Sequence, residues 1–289
     1  MSNAESASEA NAAQIEYWNG RAGSIWTEFQ ERLDTLFSPL TAAALQAAAA
    51  AAGERVLDVG CGCGETVLAL ARSVGHGGRV LGLDISEPMA ARARQRIAAE
   101  GLGNAEIVIA DAAAHSFSGA KTDLLFSRFG VMFFADPVAA FANLRRAMKP
   151  AGRLAVAVWR PLAENPWAHV PLAAAAPLLP PLSPPDPLAP GPFAFADADR
   201  VHRILSAAGW REIGCTRHDA PMRLSAAGRL DQAAEFATRV GPLARALADA
   251  PPELRPQARA LVAAALATHD GPDGVSLPGS IWIVTTVTA

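Results

Sequence analysis

The sequence predicts an α/β protein built on a doubly wound, mostly parallel sheet, and three observations predict it. Val56 to Val59 is a short apolar run with β-branched ends, the pattern of a strand buried on both faces. Gly60, Gly62 and Gly64 follow; with every second Cβ missing, the backbone can turn tightly and lie against a ligand. Glu65 and Thr66 then open a helix whose apolar face is Val67, Leu68, Leu70 and Ala71. Strand, glycine loop and helix make a nucleotide-binding turn at the carboxyl edge of a parallel sheet.

The elements follow in order. Residues 1–12 are rich in Ser, Ala, Asn and Glu and are expected to be disordered. An aromatic segment from Gln14 to Leu36 carries Tyr17, Trp18, Trp26 and Phe29, with Phe37 just beyond it, and is interrupted by Gly20 and Gly23. Ser38-Pro39 reads as an N-cap and first helical residue, starting an Ala-rich helix that stops at Gly53. Beyond the glycine-loop helix, Arg79 to Leu83 is a second strand ended by Asp84, and Ser86 caps a helix ahead of Pro88 that stops at Gly101. Ala105 to Ala110 is the third strand and Asp123 to Ser127 the fourth. Asp136-Pro137 caps a helix with Phe141, Leu144 and Met148 on one face, and Leu154 to Trp159 is the fifth strand.

From Arg160 to Ala196 prolines are too frequent for a long helix or an inner strand, which predicts an extended apolar cap. Asp197 caps a helix stopped by Gly209, and Trp210 to Leu224 reads as a long sixth strand. Residues 226–269 are helical, with breaks at Gly241-Pro242 and Pro251-Pro252, and Val275 to Val287 returns as the seventh strand. The expected organisation is a helical lid over 1–52 and a core over 53–289, interrupted by caps at 161–196 and 225–274.

The loop also limits the ligand. A dinucleotide fingerprint needs a third glycine at position 65, where Glu65 stands. A carboxylate there favours the helix dipole but repels a pyrophosphate, whereas S-adenosylmethionine has no phosphate and carries a sulfonium cation. No Gly-Lys-Ser/Thr follows, which excludes a Walker loop. Asp58-Val-Gly-Cys-Gly-Cys-Gly64, with the Val-Leu before it, resembles motif I of the class I S-adenosylmethionine-dependent methyltransferases, and the run Ser127 to Trp159 is similar to their small-molecule branch.

The resemblance implies a seven-stranded Rossmann-like sheet, S-adenosyl-L-methionine as cofactor and S-adenosyl-L-homocysteine as product. It places Asp58, Gly60, Cys61 and Gly62 at the cofactor. Asp84, an acid about 20 residues beyond the loop, can accept both ribose hydroxyls, and the family implies the same role. Ile85 and Met89 are expected to line the adenine. By resemblance Asp111 takes the adenine amine, Ala112 lends a backbone amide and Ser127 lies beside the cofactor. Tyr17 and Trp26 resemble the lid residues of glycine and sarcosine N-methyltransferases.

Composition excludes other classes. A formal charge of −3 over 289 residues leaves no electrostatic footprint for nucleic acid. The sequence also lacks the Asn/Asp-Pro-Pro-Tyr box and the Pro-Cys nucleophile of base-methylating enzymes. Three cysteines without a C-x-x-C pair fit a reducing cytoplasm and no metal site. Met1 to Ala13 lacks a signal-peptide pattern, and the Ala-rich stretch 42–52 is too short to cross a membrane. The expected partner is a small-molecule acceptor, with no membrane and a homodimer left open.

Methyl transfer needs little beyond positioning, which supplies about 7–11 kcal/mol of a barrier, so no catalytic residue is assigned. The acceptor-side candidates are Arg128 and Phe129 after strand four, Trp159 and Arg160 after strand five, and His169. The two arginines could grip a carboxylate or phosphate. Alternatives are an NAD-linked oxidoreductase, opposed by Glu65, and a catalytically inactive S-adenosylmethionine-binding module.

Overall fold

The computed structural model describes residues 3–288 apart from 118, 120, 181–185, 187 and 249, with side chains described from Asn11 onward. Three helices come first, α1 (Asn3–Asn19), α2 (Arg21–Glu28) and α3 (Gln30–Ala48). Then β1 (Arg55–Val59), α4 (Glu65–Val74), β2 (Arg79–Asp84), α5 (Glu87–Ala99), β3 (Ala105–Ile109), β4 (Thr122–Arg128), α6 (Pro137–Arg146) and β5 (Met148–Trp159) alternate. The chain continues through α7 (Pro166–Ala175), α8 (Ala198–Ala207), β6 (Arg211–Arg223), α9 (Leu230–Arg239), α10 (Pro242–Ala246) and α11 (Leu254–Leu266). A two-residue β7 (Asp270–Gly271) precedes β8 (Gly274–Val287).

The strands lie in the order β3-β2-β1-β4-β5-β8-β6, and β7 pairs with β8. All pairings from β3 to β5 are parallel, and β8 runs antiparallel to both β5 and β6. The order reverses between β1 and β4, which opens a crevice beyond their carboxyl ends. The predicted sheet is therefore present, with β5 starting earlier than expected, at Met148.

Four expectations fail at the N-terminal side and in the first cap. Helix α1 covers most of the stretch expected to be disordered, while residues 1 and 2 lie outside the described residues. Ser38-Pro39 does not start a helix: Pro39 sits inside α3. Proline removes the N–H that would bond the Thr35 carbonyl, and Ser38 Oγ donates to that oxygen at 3.0 Å. Burial of Leu33, Leu36, Phe37, Leu40 and Ala44 along one stripe holds the helix together across the proline. It ends at Ala49, in a left-handed conformation, before reaching Gly53. There the Arg153 guanidinium donates to the carbonyls of Ala48 and Ala49 and pairs with Glu54, closing a helix C-terminus with a cation.

The proline-rich stretch is not wholly extended either. It forms α7, because Pro166 falls at the first turn, where its missing N–H costs nothing. Pro181, Pro184, Pro185 and Pro187 of that expectation lie outside the described residues.

Two loops meet at the crevice. Gly60, Gly62 and Gly64 all have positive φ, at 67°, 55° and 85°. A Cβ on Gly60 would lie 2.5 Å from the Cα of Gly130, and one on Gly130 would lie 2.5 Å from the Val59 carbonyl oxygen. Ser127 Oγ, fully buried, donates to that same carbonyl at 2.7 Å and ties β4 to β1.

Gly130 has φ −77°, a conformation open to alanine, so Gly130→Ala tests the contact alone. Overpacking of this kind costs about 1–3 kcal/mol. A thermal melt is expected to show a midpoint several degrees lower; an unchanged midpoint would mean the loops part without penalty.

Candidate cofactor and acceptor site

The crevice is a cavity of about 180 Å³, more than ten times the roughly 10–15 Å³ that one water needs. Its floor is the loop after β1. Backbone amides of Gly60 and Cys61 both donate to the Leu83 carbonyl, at 2.8 and 3.0 Å, which holds the loop against the end of β2. There Asp84 accepts from the Gly62 amide through Oδ2 at 2.7 Å and from the Ser86 amide through Oδ1 at 2.8 Å. Burial pushes the Asp84 carboxyl up from its ordinary value, and these amides pull it back. Both oxygens are thus oriented by backbone, with lone pairs to spare for a ligand.

Asp111 stands further along, its Oδ1 taking the Ala113 amide and its Oδ2 the Asn11 side chain of α1, at 2.9 and 3.0 Å. Helix α1 crosses above, and Asn11, Gln14 and Trp18 line the cavity from one face. Gln14 Oε1 is buried without a hydrogen-bond partner. The helix is pinned by Asn19, which bonds the Ile85 carbonyl and the Glu87 amide, and by Ser86 Oγ donating to the Trp18 carbonyl.

Of the residues expected at the cofactor or acceptor, the structure brings Trp26, Gly60, Cys61, Gly62, Asp84, Ile85, Met89, Asp111, Ala112, Arg128, Phe129 and Trp159 to this cavity. Five expectations fall elsewhere. Tyr17 is 43% exposed and packs edge-on against Trp18; the helical turn points Trp18 inward in its place. Asp58 is fully buried beneath the loop and accepts from the Thr66 hydroxyl. Ser127 is spent on the β1–β4 tie. Arg160 is buried in ion pairs with Glu164 and Asp219, over the Trp282 ring. His169 is exposed on α7, outside the cavity.

Sequence reasoning missed Gln30, Asp34, Phe37, Trp167 and Phe193, all on the lining. The buried stripe of α3 was legible as a core face, but nothing in its spacing says that the core face also walls a ligand.

Electrostatically the lining is acidic: Asp34, Glu65, Asp84 and Asp111 against one guanidinium, Arg128. Glu65 pairs with Arg128, whose Nη1 also donates to Thr41 Oγ1 at 2.6 Å. Glu65 is therefore neutralised rather than bare at the helix start, Asp34 is paired with Arg96, and the case against a diphosphate passes to Asp84 and Asp111. Burial pushes the Glu65 carboxyl up. The same cause pushes the Cys63 thiol up to about 11 and the Cys61 thiol well above its ordinary value, so both thiols stay protonated at neutral pH. Among the described residues no group of three or more His, Cys, Asp or Glu is placed to hold a metal.

Phe129 takes a positive φ of 67° at the lip of the cavity, a conformation that costs a non-glycine residue about 1–3 kcal/mol. Its amide donates to Ala157 O at 2.9 Å, and its ring stacks on Trp159 at 4.2 Å and 7°.

Fold and site together define an α/β protein of the Rossmann-like type, with an acidic crevice at the switch point and an aromatic wall beside it. Residues 56–152 match the family model described as a methyltransferase domain. Aklanonic acid methyltransferase DauC of Streptomyces sp. (strain C5) is 34% identical over 119 residues, 41% of this chain and 54% of that protein. Nocamycin O-methyltransferase of Saccharothrix syringae is 35% identical, covering 35% of this chain and 36% of its own length. Demethylmenaquinone methyltransferase of Geobacillus kaustophilus (strain HTA426) is 36% identical over 35% of this chain and 43% of its own. The chain thus spans between about a third and a half of these relatives' lengths.

Among solved structures, phosphoethanolamine N-methyltransferase 2 of Haemonchus contortus superposes with a TM-score of 0.55 at 15% identity, over 94% of this chain and 59% of that one. The [4+2]-cyclase SpnF superposes with a TM-score of 0.51 at 19% identity, over 87% and 81%; at these identities the likeness is one of fold. Over residues 56–152 the chain is thus similar to a methyltransferase domain. Among the described residues no helix is long and apolar enough to cross a membrane.

Asp58 sets a pH dependence. Burial raises its carboxyl to about 7, against the hydrogen bond from Thr66. A carboxyl that holds its proton more tightly when folded stabilises the protein fully below its unfolded pKa, near 4, and that stabilisation is lost as pH rises to about 7. Asp58→Asn keeps an acceptor for Thr66 and removes the ionisation. Its stability advantage over the parent is expected to grow between pH 4 and 7, by a few kcal/mol at most, since one pKa unit is worth about 1.4 kcal/mol. Urea midpoints at pH 5 and pH 8 measure it; parallel losses in both proteins would show that Asp58 titrates normally.

Proposed function

We propose that this protein transfers the methyl group of S-adenosyl-L-methionine to a small-molecule acceptor and releases S-adenosyl-L-homocysteine. The observation that carries the reading is Asp84. It is a buried carboxyl with both oxygens oriented by loop amides, beside a cavity whose one cation among the described lining residues, Arg128, is paired with Glu65 while Asp84 and Asp111 lack a cation partner. A ligand with ribose hydroxyls and a positive charge suits that lining, and a dinucleotide does not. Asp84 would hold the ribose and Asp111 the adenine amine, with Ile85 and Met89 against the ring. The loop of Gly60, Cys61 and Gly62 would cradle the rest, leaving Gln14 Oε1 available to a ligand N–H or O–H. When bound, the cofactor would supply an electrophilic methyl on a sulfonium, with S-adenosylhomocysteine as the leaving group.

The chain's own part is to exclude water and align the acceptor. Helices α1 to α3 serve in this reading as the lid, and the segments 161–196 and 225–274 as caps. The cavity face of the lid includes Asn11, Gln14, Trp18 and Trp26, with Gln30, Asp34 and Phe37 of α3, and the caps contribute Trp167, Phe193 and the turn Val240 to Pro242. With thiols protonated and no His, Lys or Tyr among the described lining residues, positioning does the work.

Titration calorimetry tests the reading. S-adenosylhomocysteine is expected to bind and NAD is not; the reverse order would remove the proposal. Asp84→Ala is expected to lose about 1.5–3 kcal/mol of binding, the worth of a hydrogen bond to a charged group, or roughly ten- to a hundredfold in affinity. Equal affinity would make Asp84 a turn residue only. Binding without turnover for any acceptor would favour a module that has kept the site and lost the reaction.

A further inference from the structure

Helix α1 brings three side chains to the cavity, each about one turn from the next: Asn11, Gln14 and Trp18. Their direction is fixed at the end of the helix, where Asn19 bonds the Ile85 carbonyl and the Glu87 amide and Ser86 Oγ donates to the Trp18 carbonyl. Asn11 donates to Asp111 Oδ2 at 3.0 Å. Trp18 packs edge-on against Phe133 and Trp26, with ring centroids 5.2 and 5.6 Å away. Gln14 lies between these two anchors, and its Oε1 is shut away from water without a hydrogen-bond partner. Leaving an acceptor buried and unpaired is costly. The helix therefore closes without penalty only when something else supplies a donor.

The chemistry of the lining narrows that donor. An amide oxygen only accepts, so the ligand group must carry an N–H or O–H. In the methyl-transfer reading the ribose hydroxyls belong to Asp84, whose two oxygens are held by the Gly62 and Ser86 amides. The loop of Gly60 to Gly62 takes the amino-acid end. The exocyclic amine of adenine carries two hydrogens, and Asp111 accounts for one. The other needs an acceptor near Asp111, and Gln14 stands one helical turn from the asparagine that holds Asp111.

We propose that Gln14 reads the nucleobase: its Oε1 accepts the second amine N–H of adenine, while Asn11 holds Asp111 to accept the first. A base with an oxygen in place of the amine would set lone pairs against both acceptors. Base selection is thus built into the helix that covers the cavity as well as into the sheet beneath it. The proposal rests on the methyl-transfer reading and adds a specificity residue to it; Gln14 takes no part in making or breaking bonds.

Calorimetry tests it with two ligands, S-adenosylhomocysteine and its purine analogue in which hydrogen replaces the amine. The parent protein is compared with Gln14→Met, which fills similar space without an acceptor. The variant is expected to lose about three- to tenfold in affinity for S-adenosylhomocysteine, the worth of one hydrogen bond, and to bind the purine analogue as the parent does. Its thermal midpoint without ligand is expected to be no lower than the parent's, since an unpaired acceptor has been removed. Unchanged affinity for S-adenosylhomocysteine in the variant would overturn the proposal. An equal loss for both ligands would overturn it too, because Gln14 would then be a packing residue. Failure of the parent to bind S-adenosylhomocysteine would instead remove the methyl-transfer reading itself.

Discussion

Backbone lies against backbone where the loop after β1 meets the loop after β4, and the site depends on that contact. Neither Gly60 nor Gly130 leaves room for a Cβ, and the Val59 carbonyl that Gly130 crowds is also held by Ser127 Oγ. The contact fuses the two strands at which the sheet order reverses, so the crevice beyond them has a rigid floor. From that floor the Gly62 amide reaches Asp84, which links the loop to β2. A ligand recognised by Asp84 is therefore read by a carboxylate whose geometry is set by three strands at once.

The two walls of the crevice differ in what they can stabilise. On the β2–β3 side acids accept backbone amides and keep lone pairs for hydroxyls or amines. On the β4–β5 side the ion pair Glu65–Arg128 cancels its own charge beneath an aromatic layer. Low polarity around that layer strengthens any electrostatic interaction made inside it. Phe129, held in a left-handed conformation between Phe37 and Trp159, is strained in the backbone where its ring is needed. The strain is sustained by the Phe129 amide bonding Ala157 and by the stacked rings.

Local patterns made the strands and their order of appearance legible. Val56 to Val59, Arg79 to Leu83, Ala105 to Ala110 and Asp123 to Ser127 each announce a strand by apolar content bounded by turn residues, and each is one in the fold. Helix boundaries set by tertiary contacts were not legible. Pro39 reads locally as a beginning, yet Leu33 to Ala44 bury on both sides of it and Ser38 answers the carbonyl it strands. The stop at Ala49 comes from Arg153, about a hundred residues away in sequence.

The sequence by itself determined the glycine loop, the acid ending the second strand and the absence of a third glycine, because each depends on residues close together in the chain. Which aromatic of the pair Tyr17 and Trp18 faces inward was decided only by the rotation of α1, pinned through Asn19 and Ser86. Tertiary structure also took Arg160 and His169 away from the crevice, one into ion pairs with Glu164 and Asp219 and the other to an exposed face of α7. It made a cavity wall of Phe37, Trp167 and Phe193. Side-chain direction and long-range pairing depend on what packs opposite, and that partner is distant in sequence.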